Sequence, residues 1–212
     1  MNNNYTKFNT NSISEFINND EDGSDEAISF LKNKNSFRPF DLGLKELFKM
    51  KNIDVDSSDN EKMADFLYSK LKDIKANIEK ETVISWFSGK QRPKVEAGSR
   101  IKMYEICFAL NLNASETTCF FQRVYYDRAF NCHTIDEAVF YFAFSNGLTY
   151  MESLDIINRI SEADAPVAVN YESNYTLFVR NQINSMKTID ELTTFLILYE
   201  SLLFFLIFIV FG

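Results

Sequence analysis

Residues Glu81–Pro93 read E-T-V-I-S-W-F-S-G-K-Q-R-P, and they gather the side chains in this chain best placed to do chemistry. Val83 and Trp86 stand three apart. Gly89 follows, and Lys90, Arg92 and Lys94 come directly after it. A glycine that ends a helix, with cations in the turn beyond it, suits contact with phosphate oxygens. The other reactive residue types are not arranged for catalysis. The single histidine, His133, stands beside Cys132 with no second ligand pair at zinc-site spacing. No nucleophile–base pair and no paired carboxylate set stands out, so a non-enzyme with no metal and no cofactor is expected.

Charge singles out the same stretch. The chain of 212 residues carries a formal net charge of -8, yet residues 70–103 hold nine Lys/Arg against Asp73, Glu79, Glu81 and Glu96. All the excess positive charge lies in that window, with acidic sequence on both sides. A uniformly acidic chain argues against nucleic acid as a partner, whereas a confined basic patch is the footprint of one. Cys107, Cys119 and Cys132 are odd in number and lack C-x-x-C spacing. They read as free thiols in a reducing, cytoplasmic compartment.

The elements that must position the basic turn are helical. Only 6 Gly and 3 Pro interrupt a chain that is 46% apolar, so the fold class expected is all-α. Residues 1–36 are rich in Asn, Ser and acids and read as a disordered segment. Asp41 is expected to cap a helix over Leu42–Met50. Met63, Phe66, Leu67, Leu71 and Ile74 mark an amphipathic helix over 61–75, with Asn77 as the left-handed turn residue. A short helix over Glu81–Ser88 should end at Gly89, and Pro93 should delay the next, over Ser99–Leu110. Val83 and Trp86 then face the core. Thr82, Ile84 and Ser85 lie on the other side.

Here the chain resembles the phage-repressor-like (Xre-type) helix-turn-helix family, over roughly residues 44–112. Val83, Trp86, Gly89, Lys90, Arg92 and Pro93 reproduce that family's pattern at the end of its recognition helix. Ile78 falls on the apolar position after the turn, and Asn77 on the usual Gly. Tyr104, Ile106, Cys107, Ala109 and Leu110 match the next helix. The family's Leu-Ala pair falls on Lys72 and Asp73 and matches only when shifted by one, to Leu71. The resemblance implies that the recognition helix enters the major groove. Lys80, Glu81, Thr82 and Ser85 would meet base edges, although Glu81 repels phosphate. Lys90, Arg92, Lys94, Arg100 and Lys102 would contact phosphates. Ile78, Val83, Trp86, Gly89 and Pro93 would support the motif.

The second half reads as further helices. Thr134–Glu137, Thr149–Glu152 and Thr188–Glu191 fit the capping-box template, the first and last being the same tetrapeptide, and Ser115 is expected to cap Glu116–Tyr126. Phe120, Phe121, Tyr125, Tyr126, Phe130 and Phe140–Phe144 form an aromatic region that reads as core, or alternatively as a dimerisation or partner surface. Tyr125, Tyr126, Asp127 and Arg128 suggest a polar cluster at a helix end. Leu202–Phe211 is wholly apolar and fits a tail anchor, a buried terminal helix or an altered end. The expected organisation is thus a disordered segment 1–36, a helix-turn-helix domain of four to five helices over 37–113, an α-helical dimerisation or partner domain over 114–194, and an apolar segment 195–212. The function expected is sequence-specific binding of double-stranded DNA by a homodimeric regulator of transcription or of a mobile element. The alternative is a non-catalytic helical interaction module, adaptor- or antitoxin-like, with a membrane tether in its apolar tail.

Overall fold

The computed structural model describes residues 37–56, 58–132, 134–162 and 175–198. The expected disordered segment 1–36, His133 and the apolar run Leu202–Phe211 lie outside the described residues. All regular structure among the described residues is helical, with no strand. None of the described helices is long and apolar enough to cross a membrane.

The first helix, α1 (Phe40–Met50), begins directly after Pro39. Pro39 is the N-cap residue, its fixed φ suits entry into a helix, and no side chain caps the first turn. Asp41, expected as the cap, instead lies in the first turn beside Lys45. Asp59 caps α2 (Asn60–Asp73), accepting from the N–H groups of Glu61 and Lys62. Its buried stripe, Met63, Ala64, Leu67 and Leu71, has helical spacing. Six residues lead to α3 (Lys80–Phe87), which buries Val83, Trp86 and Phe87. The left-handed residue of that connection is Lys75 (φ 60°), not Asn77. The helix stops two residues earlier than expected, at Asp73, and Leu71 is the last residue of its buried stripe.

α4 (Ala97–Ala109) is buried along most of its length. α5 (Ala114–Phe120) is capped by Asn113 rather than Ser115, because Asn113 has Glu116 three residues on and the two complete a capping box. One π-helical turn, Phe121–Tyr125, follows and ends at left-handed Tyr126. α6 (Ile135–Asn146), α7 (Tyr150–Ser161), α8 (Tyr175–Ser185) and a helix α9 over 189–198 complete the described chain. Thr134 and Thr149 cap α6 and α7, and Thr188 and Glu191 exchange bonds ahead of α9.

A single apolar cluster takes in residues on both sides of Asn113. Its centre is aromatic. Phe108 of α4 stacks on Phe144 of α6 at 4.0 Å, and Tyr104 packs against Phe121, Phe130 and Phe140. Of the named aromatics, Phe120, Phe121, Tyr125, Phe130 and Phe140–Phe144 are buried in the core, and Tyr126 is half-buried.

Five helix ends share one joint. Asn52, Lys75, Gly89, Asn111 and Gly147 take left-handed φ values. The residue after each donates its N–H back to a carbonyl one turn earlier: Ile53 to Phe48, Ala76 to Leu71, Lys90 to Ser85, Leu112 to Cys107 and Leu148 to Ala143. This joint satisfies carbonyls that the helix end would leave unpaired, and an apolar residue usually follows it to pack back on the helix. Ile53, Ala76, Leu112 and Leu148 meet that rule and are buried or half-buried. Lys90 breaks it and is exposed.

Candidate nucleic-acid interface

Val83, Trp86 and Ile78 anchor α3 from below. All three are buried, and Trp86 meets the ring of Phe40 edge-on at 5.9 Å. Gly89 (φ 68°) closes the helix with its N–H on the Trp86 carbonyl. The Lys90 and Gln91 N–H groups both return to the Ser85 carbonyl, at 3.1 and 3.3 Å. The chain therefore folds back over the end of α3 and sets Lys90 and Gln91 beside Ser85. Pro93 is buried and pulls the turn onto the body, while Lys90, Arg92 and Lys94 remain exposed.

The π turn fastens the far side of this loop. The Tyr125 hydroxyl donates to the Lys94 carbonyl at 2.5 Å. The Arg92 guanidinium lies 5.1 Å over the Tyr126 ring and donates to the Tyr125 carbonyl at 3.4 Å. Stacking on an aromatic face leaves the guanidinium edge open to a second partner while limiting its freedom. The sequence marked Tyr125 and Tyr126 as a helix end, but not as the support of the basic turn thirty residues earlier. That support depends on a long-range contact with no local signature. Gln91 was also missed. Its Oε1 lies 3.2 Å from the Ser85 hydroxyl, and only its place between Lys90 and Arg92 marks it in the sequence.

The face expected to read bases is less uniform. Thr82 and Ser85 are half-buried neighbours, and the Ser85 hydroxyl donates to the Thr82 carbonyl at 2.7 Å. Glu81 is exposed. Lys80 pairs with Asp65 of α2 at 2.7 Å, and this hydrogen bond, reinforced by the charges of Asp65, Glu61 and Glu81, raises its pKa. The N-terminal end of α3 is thus hemmed by carboxylates, and its C-terminal end leads into exposed cations.

Arg100 corrects an expectation. It was assigned to phosphate but is buried, its guanidinium holding Asp127, the Glu137 carboxylate at 2.7 Å and the Arg128 carbonyl at 3.0 Å. Burial opposes its charge, but Glu137, Tyr104 and Asp127 outweigh that and hold its pKa above the ordinary guanidinium value. The cause is helical register. Arg100 shares a stripe with Met103, Tyr104 and Cys107, all buried, and that spacing was legible in the sequence. Lys102, two residues on and so on the opposite side of the helix, is half-buried.

Deeper in, Glu105 ties the turn before α3 to the second half of the chain. It accepts from the Tyr150 hydroxyl at 2.9 Å and from the Asn77 N–H. Burial raises its pKa, and those two hydrogen bonds oppose the rise. Cys107, Cys119 and Cys132 are free, and burial pushes the Cys132 thiol up to about 12. Among the described residues no group of His, Cys, Asp and Glu is gathered as a metal site. Comparison with protein-family models, curated proteins and solved structures finds no match for this chain.

Proposed function

We propose that the chain binds double-stranded DNA, with α2, its connection and α3 acting as a helix-turn-helix and the Lys90–Lys94 turn seated on the phosphate backbone. The observation that carries this reading is the joint at Gly89. Four sibling joints send an apolar residue inward, and this one presents Lys90, then Arg92 and Lys94, to solvent on a doubly fastened loop. A turn fixed from both sides and charged on its outer edge positions a backbone contact at little cost in ordering. Thr82, Ser85 and Gln91 lie beside it as candidates for sequence readout, and the protein acts as a homodimeric regulator of transcription or of a mobile element.

The test is recovery of bound DNA from a genomic library by the full chain at low salt, followed by affinity measurement across salt. An enriched sequence motif whose binding falls steeply with salt is expected. Recovery of no DNA at low salt ends the proposal. One observation favours a second reading: Glu61, Asp65 and Glu81 crowd the N-terminal end of α3, a setting better suited to a basic protein partner. A stable protein complex together with no salt-dependent DNA affinity selects that reading.

A further inference from the structure

Glycine is a poor helix former, yet Gly43 is buried in the first turn of α1. A Cβ there would lie 2.6 Å from one Val124 methyl, 3.1 Å from the other and 3.2 Å from Val124 Cβ. Carbon atoms in ordinary contact are roughly 3.5–4.0 Å apart. Glycine at this position therefore lets the backbone of α1 come close against the π turn. Val124 is buried and β-branched, so its side chain turns aside only at a cost.

The residues around Gly43 reach the supports of the basic turn one after another. The Arg38 N–H donates to the Tyr126 hydroxyl at 2.9 Å, and the Arg92 guanidinium lies over the Tyr126 ring. Phe40 meets Trp86, which anchors α3. The Asp41 carboxylate, paired with Lys45, lies against Gly89, 3.5 Å from where a Cβ would stand. Gly43 meets Val124, and the next residue, Tyr125, donates to the Lys94 carbonyl and accepts from the Glu96 N–H. One short stretch, 38–43, thus meets the joint at Gly89, where the basic turn begins, and the π turn, where it is fastened.

We infer that the first turn of α1 positions the basic turn, and that Gly43 is a positioning residue for the turn's contact with phosphate. The phosphate contact rests on the DNA-binding reading, whereas the placing of the turn rests on packing alone. Bulk added at Gly43 pushes the π turn away from α1. Tyr125 then leaves the Lys94 carbonyl, and Tyr126 leaves Arg92. The cations stay exposed, but the turn has to be ordered when DNA binds, and that costs affinity. None of residues 38–43 has to touch DNA for this to happen.

Gly43→Ala, Val124→Ala, the double variant and Tyr125→Phe, all in the full chain, test the inference. The first readout uses no DNA. It is the side-chain N–H resonance of Arg92, which the Tyr126 ring shifts upfield. In Gly43→Ala and in Tyr125→Phe this resonance moves toward that of a free arginine. The second readout is affinity at low salt for the duplex recovered from the genomic library. It falls about tenfold in Gly43→Ala as a phosphate contact is lost. In Tyr125→Phe it falls about threefold, as one hydrogen bond is lost. Val124→Ala removes both methyls that a Cβ at position 43 would meet, so the double variant returns to within about threefold of wild type. General weakening of α1 gives no such rescue, since alanine already favours the helix more than glycine does. Tyr125→Phe keeps the ring in place and decides the matter if Gly43→Ala fails to fold. The inference is overturned if the Arg92 resonance stays at its wild-type position in Tyr125→Phe and in folded Gly43→Ala. It is also overturned if the double variant lies no closer to wild type than Gly43→Ala does. If the wild type binds no duplex, the DNA-binding reading fails by itself, and the Arg92 resonance alone decides whether α1 places the turn.

Discussion

Arg100 and Lys90 come from the same basic window, ten residues apart, and end in opposite surroundings. Arg100 lies inside α4, saturated by Glu137, Asp127 and a backbone carbonyl. Lys90 stands on a turn, exposed, with its backbone bonded and its charge outward. The difference shows that a local excess of charge is not one surface. Part of the window's positive charge joins the N- and C-terminal halves of the molecule, and part is left free to meet a partner. Which part is which follows from where each residue falls on its helix or joint.

Breaking the buried half of this comparison should have the largest effect. Arg100→Ala leaves Glu137 and Asp127 near the core without their cation, and Glu137 Oε2 already has no hydrogen-bond partner. Loss of one partner from a buried ion pair costs about 3–5 kcal/mol. Urea denaturation followed by circular dichroism should show a loss of that size. A loss below about 1 kcal/mol would mean that the network is solvated and that Arg100 resembles Lys90 after all.

How much of this was legible in the sequence differs between the two residues. The all-α class and the spans of α1 to α4 followed from apolar spacing, because that spacing is a local property. The inward faces of Val83 and Trp86 and the glycine joint were legible for the same reason. Arg100 has the charge of a phosphate contact but the register of a core position, in a stripe with Met103, Tyr104 and Cys107, and the register decides its place. The early stop at Lys75 was hidden because lysine carries no signal for a left-handed conformation. The support of Arg92 by Tyr125 and Tyr126 arises from tertiary packing, which no short window of sequence encodes.

The joint itself gives the next test. Gly89→Ala forces a Cβ into left-handed backbone, although the space around it is ordinary, with Asp41 carboxylate atoms at 3.5 Å. The expected loss is about 1–2 kcal/mol, measured by denaturation. Asn111→Gly, at the matching joint of α4, should be neutral or slightly stabilising, since glycine accepts that φ more readily than asparagine. If the two variants behave alike, the shared-joint description fails.

Glu105 sharpens the comparison through pH. Its folded pKa is raised, mainly by burial, so the folded state holds its proton more tightly than the unfolded chain, where the carboxyl titrates near about 4.3. The resulting stabilisation is fully present below that unfolded value and is lost as pH rises through the folded one. Glu105→Gln keeps an acceptor for Tyr150 and Asn77 but has no charge to bury. The stability difference between variant and wild type should therefore move in the variant's favour on going from pH 4 to pH 7. A difference that is flat with pH, measured by paired denaturation curves, would show that Glu105 ionises as freely folded as unfolded.

The smallest effect on stability belongs to the exposed half, and for that reason it is the most telling. Lys90→Gln, Arg92→Gln and Lys94→Gln together remove the stacking of Arg92 on Tyr126 and its hydrogen bond to the Tyr125 carbonyl, and otherwise only solvated charge. The loss should stay below about 1 kcal/mol. If the turn holds a DNA backbone, the triple variant loses affinity for all sequences alike. The slope of log affinity against log salt should then shrink by about 0.9 for each phosphate contact removed. Thr82→Ala, by contrast, should change sequence preference and leave the salt slope alone. A triple variant that keeps the wild-type slope would separate exposure from function. The turn after α3 would then be a solvated end, and the outward cation at its joint would have no partner in DNA.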